Sequence, residues 1–600
     1  MKKIVYILLL AAVALGPGCN ETDFLEEQPR DDIYPENLLV DRTGFESMLT
    51  ALYGLMRHEY RRVDYIGGGF VPMTPQAAFA AGADDAWGNN AESPTMAYTF
   101  YPARIRETDL STFKSLFDWL YQIIGTANMV ITRADGAGID WEGTSDEENL
   151  RNKEQIVACA RFFRAWAYRH LTYAFGAVPL STTEITGLNY RNDWERNSVA
   201  DIRRVMKEDF QYAADHLDLR TKNNNRISGA VAIHYLGELY LAMNEPEEAA
   251  KVLKPLVEGT EYALMTAPFG STAATDNCAF IDLFRTPQYR DGNREVLMYF
   301  DNTEPTTAAA GTAEVFIKCN WKNYYANVGS VKNGCCKDAP EVTAGTLTQP
   351  KMIWMVNGGK GAGRCSVSLG ALRLYNYKKQ GALDERISDK AMVWMIKTRN
   401  ADGRDVDFLV NGKTIIDTTL TSGMLDNNVV KIKNYSWPST RKWDYTQQVA
   451  ANGDSDWTYA DVVYLRLADT YLLYAEALYK TDKAGEAIKW INFVRTRSKA
   501  CEIAEGDLTG AGLDLILDER SRELLCEEER RHTLMRISQT DGGDERALDN
   551  YFKRRSRALN EIAGRATRGM DVYDTPVMFP IPQSFLDANT GRKLEQNPGY

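Results

Sequence analysis

Apolar residues recur at three- and four-residue spacing through most of the first third of the 600-residue chain, the pattern of helices that each bury one face. Over residues 41–60, Phe45, Met48, Leu49, Leu52, Tyr53 and Met56 share one stripe. The same period predicts helices over 113–134 and 153–175, the latter stopped by Gly176 and Pro179. Between 227 and 257 the pattern becomes more specific. Gly229, Ala230, Ala232, Gly237 and Ala242 alternate with Tyr235, Leu239, Tyr240 and Leu241, and after Asn244-Glu245-Pro246 a second helix carries Ala249, Ala250 and Leu253. Small residues at such positions let two helices approach closely, as in tetratricopeptide-type pairs. A comparable unit spans 464–497, with Ala475, Ala477, Ala484 and Ala487 in similar places. The predicted fold is mainly α: a tetratricopeptide-like helix-pair scaffold with long loops and short β-hairpins.

The period is lost between about 266 and 456, where Gly, Asn and Thr rise and the aromatic residues lose helical spacing. Val315-Phe316-Ile317 and Thr414-Ile415-Ile416 read as β-prone pieces of hairpins, and the glycine run Gly358–Gly363 reads as a flexible turn, since it lacks the Gly-Lys-Ser/Thr ending of a phosphate loop. Residues 41–600 are expected to form one domain, with 266–456 as a loop-rich insertion.

The N-terminus departs from both patterns. Lys2 and Lys3 precede an apolar stretch from Ile4 to Leu15, too short to span a bilayer, and then Gly16-Pro17-Gly18 leads into Cys19. Residues 1–18 read as a lipoprotein signal peptide and Cys19 as the lipidated first residue, which anchors the chain to a membrane. Residues 19–40, with Glu21, Asp23, Glu26 and Glu27, read as an acidic tether.

A net charge of −12 argues against a nucleic-acid surface, which needs clustered Lys and Arg. The eight cysteines besides Cys19 contain no C-x-x-C pair, so neither a zinc site nor a dense disulfide framework is indicated. The five histidines, His58, His170, His216, His234 and His532, are scattered and form no H-E-x-x-H, so a histidine-based metal site is not indicated either. No cofactor is implied.

Several strings, in order along the chain, carry a resemblance. These are DFLEEQP at 23–29; Trp119-Leu120-Tyr121 with Ala127-Asn128; Arg161, Arg164-Ala165, Tyr168, Phe175-Gly176 and Val178-Pro179-Leu180; Leu465-Arg466-Leu467-Ala468-Asp469; Glu519-Arg520-Ser521-Arg522-Glu523-Leu524; and the closing Gln596-Asn597-Pro598-Gly599-Tyr600. Together they resemble the SusD/RagB family of outer-membrane nutrient-binding lipoproteins of the Bacteroidetes type. One departure is visible: Glu528 and Thr533 stand where the family usually has Gly and Asp, which leaves local helix packing open. The resemblance implies a non-enzymatic lipoprotein on the outer face of the outer membrane. It implies capture of an oligosaccharide or polysaccharide and delivery to a SusC-like TonB-dependent transporter. Capture of peptides or glycopeptides on the same scaffold is the alternative. A cryptic glycoside hydrolase and a pure interaction scaffold stand behind these.

Glycan recognition without catalysis needs flat apolar faces for sugar rings and amides or carboxylates for hydroxyls. Trp87, in Asp84-Asp85-Ala86-Trp87-Gly88-Asn89-Asn90, lies off helical spacing among small and polar residues. It is either a sugar platform or a pin that holds its loop to the scaffold. Asp85, Asn89 and Asn90 are the neighbouring polar candidates, although acidic pairs are common and Asp84-Asp85 reads mostly as solvated loop charge. Trp321, Tyr324 and Tyr325, interleaved with Asn320 and Asn323, form the second candidate cluster, again as platform or buried anchor. Trp354 and Trp437 are lesser candidates, whereas Trp119, Trp166 and Trp490 belong to helical cores. Arg161, Arg164, Arg495, Arg520 and Arg522 are expected to form internal ion pairs with carboxylates such as Glu476, Glu519 and Glu523.

Overall fold

The computed structural model describes residues 34–61, 74–88, 111–302, 315–322, 356–375, 384–399, 437–445, 458–540, 550–560 and 576–600, with short strand pieces within 404–414. Helix α1 (Arg42–Arg57) opens on Asp41, whose side chain accepts from the Gly44 amide. It is followed by the short α2 (Pro75–Ala80), strand β1 (Ala86–Gly88), α3 (Ser111–Arg133) and α4 (Asp146–Ala174). Helix α4 starts earlier than the apolar stripe predicts because its first turns carry a polar signal instead: Ser145 caps the Glu148 amide, and Asp146, Glu147 and Glu148 sit at the positive end of the helix dipole. From Ile156 onward α4 is buried almost all round, packed between α3 on one side and α5 (Val199–His216) on the other.

The predicted helix pairs form. Helices α6 (Gly229–Ala242) and α7 (Pro246–Val257) make one, and α7 in turn packs on the second pair introduced below. Between the pairs run β2 (Val296–Phe300), α8 (Ile317–Trp321) and β3 (Cys365–Val367). Then β4 (Val462–Arg466) leads into the second pair, α9 (Leu467–Lys480) and α10 (Ala484–Arg497). The chain closes with α11 (Leu513–Leu524), α12 (Arg530–Thr540) and α13 (Tyr551–Leu559). Apolar side chains from Leu39 to Ile581 form one continuous buried cluster across these elements. Among the described residues no helix is long and apolar enough to cross a membrane.

Two local expectations are corrected. Tyr464–Arg466 is not the start of a helix: the buried run VVYLR pairs antiparallel with VLMYF of β2, from Val462 opposite Phe300 to Arg466 opposite Val296. An apolar run too short for a helix was strand-prone, and it found a partner. Conversely Val315 makes only an isolated bridge to Thr458, while Ile317 begins α8. Of the other β-prone string, Thr414 ends a two-residue strand paired with Leu409–Val410, and the two isoleucines after it lie outside the described residues. The rest of the loop-rich region contributes further short antiparallel pairs, β1 with β3, Met392–Val393 with Ser439–Thr440, and Lys397–Arg399 with Asp405–Asp407.

Candidate ligand-binding site

Thr74 caps α2 through its hydroxyl, Pro75 fixes the first helical φ, and the chain then turns through Gly82, at φ +83°, into Asp84 and Asp85. Strand β1 places Trp87 opposite Ser366 of β3. Ser368 at the end of β3 bonds back to this turn twice, its amide to the Asp85 carbonyl at 2.7 Å and its hydroxyl to the Asp84 carbonyl at 2.9 Å. The far end of the chain completes the clamp. Arg530 donates to both Asp84 carboxylate oxygens at 2.7 and 2.8 Å, Arg555 adds a bond at 3.0 Å, and the Asn560 amide donates to the Ala83 and Ala86 carbonyls. Burial alone would raise the Asp84 pKa, but the two guanidiniums override it and hold the carboxyl at about 2. Among the described residues the Asp85 carboxylate accepts one hydrogen bond, from the Ser521 hydroxyl at 3.3 Å, and Arg530 lies 3.8 Å away, so burial, with Asp84 and Glu528 adding to it, lifts it to about 7 against Arg530.

The second candidate cluster is tied to the same frame. Helix α8 contacts both α2 and β3. The Asn320 amide donates to the Thr74 hydroxyl at 2.8 Å, and the Trp321 indole N–H donates at 3.2 Å to Gln76, 245 residues earlier. Lys322 is fully buried and pairs with Asp444, burial pulling its pKa down to about 8. Its carbonyl accepts from the Gly363 amide at 2.7 Å. The glycine run is therefore a packed strip and not a flexible turn. A Cβ on Gly361 would lie 2.0 Å from the Lys322 carbonyl oxygen, and one on Gly358, at φ +80°, would strike the Asp444 carboxylate at 2.1 Å. Glycines spaced to admit a neighbouring backbone were the available signal. Gly88 is opposite Cys365, and Lys322 is bonded to Gly363, so residues 84–88 and 317–322 end on the same short stretch, 363–365.

The structure thus brings the two sequence clusters together, but it buries the members it describes. Trp87 is 2% exposed, Trp321 3% and Asp85 4%. As placed, none of the three presents a face to solvent, and the geometry serves the pinning role for both indoles. Trp437, 1% exposed, is a pin as well, its indole N–H donating to the Val367 carbonyl at 2.9 Å. Asp84-Asp85 is not solvated loop charge; the guanidiniums that neutralise Asp84 lie over four hundred residues away and left no local trace. Asn89, Asn90, Tyr324, Tyr325 and Trp354, together with Cys19, fall outside the described residues.

The expected arginine pairs are present. Arg164 chelates Asp209 at 2.7 and 2.8 Å, Arg495 and Arg522 share Glu519 at 2.6 and 2.7 Å, and Arg536 grips Glu476 at 2.6 and 2.7 Å. The departure at Glu528 and Thr533 is self-consistent: Thr533 donates to the Glu528 carboxylate at 2.6 Å, and Arg520 and Arg530 bind the same carboxylate. Two histidines read as scattered come together. His170 Nδ1 and His532 Nε2 lie at hydrogen-bond distance, 2.7 Å, inside a ring of Phe79, Trp119 and Trp166, beside the Glu529 carboxylate that Arg169 holds at 2.5 Å. Burial drives the His170 pKa down to about 3.

Comparison with known proteins agrees with this architecture. Residues 359–600, which include all but the first glycine of the packed strip, β3, the second helix pair and the whole C-terminal clamp, match the family model described as the SusD family. This C-terminal part carries the SusD-family pattern. The chain is similar along most of its length to SusD-like protein P2 of Formosa agariphila, 21% identical over 552 residues, which cover 89% of this chain and 90% of the relative. A solved SusD homolog from Bacteroides thetaiotaomicron superposes with a TM-score of 0.64 at 20% identity, over 94% of this chain and 98% of the other. A structure called a laminarin binding SusD-like protein gives 0.59 at 18% identity (93% and 99%), and surface glycan-binding protein A from Bacteroides uniformis gives 0.60 at 16% (92% and 98%). These superpositions place the chain in the SusD-like fold, mainly helical as its helix pairs predicted.

Proposed function

We propose that this chain captures a glycan at the cell surface and hands it to a SusC-like TonB-dependent transporter, held at the outer face of the outer membrane by a lipid on Cys19. The observation that carries the reading is the shared frame. Residues 84–88 and 317–322 are bound to one stretch, so Gly88 and Lys322, the described residues nearest in sequence to the candidates Asn89, Asn90, Tyr324 and Tyr325, are held on the same short segment. Amides beside aromatic rings are the chemistry that orients a sugar and stacks on it. Solved relatives named for glycan and laminarin binding support the ligand class. A non-enzymatic role is supported by the acidic pair at the frame, because Asp84 is buried and neutralised by Arg530 and Arg555, and Asp85 is buried beside it. A glycosidase needs two carboxyl groups open to the scissile bond.

The test is affinity electrophoresis of the protein lacking residues 1–18 through a panel of polysaccharides. One polysaccharide should retard it, and the paired variants Asn89→Ala/Asn90→Ala and Tyr324→Ala/Tyr325→Ala should lose that retardation at unchanged melting temperature. Trp87→Ala should instead destabilise the fold by about 3–5 kcal/mol, seen as a lower melting temperature. No retardation by any polysaccharide, with retention on immobilised peptides, would transfer the reading to peptide capture. Release of reducing sugar from the bound polysaccharide would establish a hydrolase. The transporter partnership is tested by recovering a large β-barrel with the tagged protein from outer membranes.

A further inference from the structure

A cavity of about 690 Å³ opens between the first turn of α5, the α6–α7 turn, and the C-terminal end of α12. Its volume lies in the range of small-molecule sites. Its lining includes three apolar, deformable side chains, Met243, Met535 and Met578. Arg203, 8% exposed, lines it as well. Its Nη1 donates to the Ala242 carbonyl at 2.8 Å and its Nη2 to the Gln539 side-chain oxygen, both neutral acceptors.

Guanidiniums buried nearby are neutralised: Arg164 by Asp209, Arg169 by Glu238 and Glu529, and Arg536 by Glu476. Arg203 has no carboxylate at ion-pair distance among the described residues. A buried, hydrogen-bonded cation without a counter-ion is costly, and an anion placed against it recovers that cost. Val199 and Ala200, the first two residues of α5, also line the cavity, and as first-turn N–H groups their amides have no intrahelical acceptor. The one carboxylate of that turn, Asp201, faces away into Arg204 and the Ser198 hydroxyl. In a chain of net charge −12 this is a local positive pocket with apolar side chains in its lining.

We propose that the cavity is a second binding site, for a small organic anion whose carboxylate or sulfonate sits at Arg203 and the α5 N-terminus and whose apolar body lies on the methionines. A sugar acid would leave the methionines unmatched, so the site differs in ligand class from the glycan reading and does not depend on it.

The probe is 8-anilinonaphthalene-1-sulfonate, titrated by fluorescence into the folded protein lacking residues 1–18. N-phenyl-1-naphthylamine serves as the same skeleton without the anion. One saturable site is expected for the sulfonate. Ala200→Trp, at an exposed position on the cavity wall, should abolish binding of both probes. Arg203→Met should weaken the sulfonate tenfold or more and leave the neutral probe unchanged. Because Arg203 also ties α5 to α6, Ala200→Glu provides a second electrostatic arm that leaves the guanidinium in place: the added carboxylate should weaken the sulfonate selectively. Non-saturable binding to the parent protein, undiminished binding to Ala200→Trp, or equal losses of both probes in Ala200→Glu would each overturn the proposal.

Discussion

Asp84 and Asp85 are neighbours in sequence, equally buried, and respond to pH in opposite ways. Asp84, held at about 2 by Arg530 and Arg555, binds no proton in the fold above that value. Asp85, lifted to about 7, keeps its proton in the fold over a range where the unfolded chain, with a carboxyl near 3.8, has already released it. Between those two values the folded state binds more protons, so the contribution of Asp85 to stability is complete below about 3.8 and declines as pH rises through 7. Asp85→Asn copies the protonated form and keeps an acceptor for Ser521. Its melting temperature relative to the parent should therefore rise from pH 4 to pH 8, with a stability slope of at most about 1.4 kcal/mol per pH unit. Melts of both proteins at the two pH values decide it, and a difference that does not change with pH would refute the assignment. Sequence left Trp87 open between platform and pin and read Asp84-Asp85 mostly as solvated charge. A large ring in a polar string looks the same whether it waits for a sugar or fills a slot made by β3 and the C-terminal helices, since the partners are hundreds of residues away.

At the scale of elements the helix pairs were legible because their contacts are local. Gly237 was read as a small residue that lets two helices close, and a Cβ built there lies 2.5 Å from the Leu253 side chain on α7. Gly237→Ala should thus destabilise by about 1–3 kcal/mol through overpacking, despite the gain of roughly 1 kcal/mol in helix propensity. Gly125, exposed on α3 with nothing within 4 Å of an added Cβ, is the control: Gly125→Ala should stabilise by roughly 0.5–1 kcal/mol. Urea midpoints of the two variants should move in opposite directions, and a common direction would show that close packing of α6 on α7 is not what selects glycine at 237. The short strands were less legible. A two- or three-residue strand such as Ala86–Gly88 has too few positions to show a period, and its register is set by a partner nearly three hundred residues on. The glycine strip was misread for the same reason, because what makes it compact is Lys322 and Asp444, not its own composition.

For the whole molecule, α11 is where the helix pairs, the loop-rich region and the C-terminal clamp meet. Glu519 and Glu523, both fully buried, collect Arg386 from the loop-rich region, Arg466 from the end of β4, Arg495 and Arg497 from α10, and Arg522 from α11 itself. Arg466 and Arg497 also reach Glu295 beside β2, so one network spans most of the fold. Burial works against both carboxylates, yet the guanidiniums prevail: Glu519 is held at about 2, chiefly by Arg386, and Glu523 lower still, chiefly by Arg497 and Arg466. A pKa depressed in this way contributes stability that is full above the unfolded value of 4.5 and is lost as pH falls toward the folded one. Glu523→Gln removes the charge but leaves Arg386, Arg466 and Arg497 buried beside a neutral amide, so the loss should be about 3–5 kcal/mol at pH 7. Below pH 4.5 the penalty should shrink, by at most about 1.4 kcal/mol per pH unit, because the unfolded parent takes up a proton that the folded Glu523 does not, and the two proteins converge only as pH approaches the folded value. Added salt should hardly reduce the difference, since screening acts on exposed charge. Urea titrations at pH 7 and pH 4, each at low and high salt, test all three statements. A Glu523→Gln penalty that vanished in salt, or persisted unchanged at pH 4, would mean the network does not bind these parts through its charge. If the penalty behaves as expected, the scaffold is clamped from its centre, and the frame that ends at Gly88 and Lys322 is held by charges far from the sequence that follows either residue.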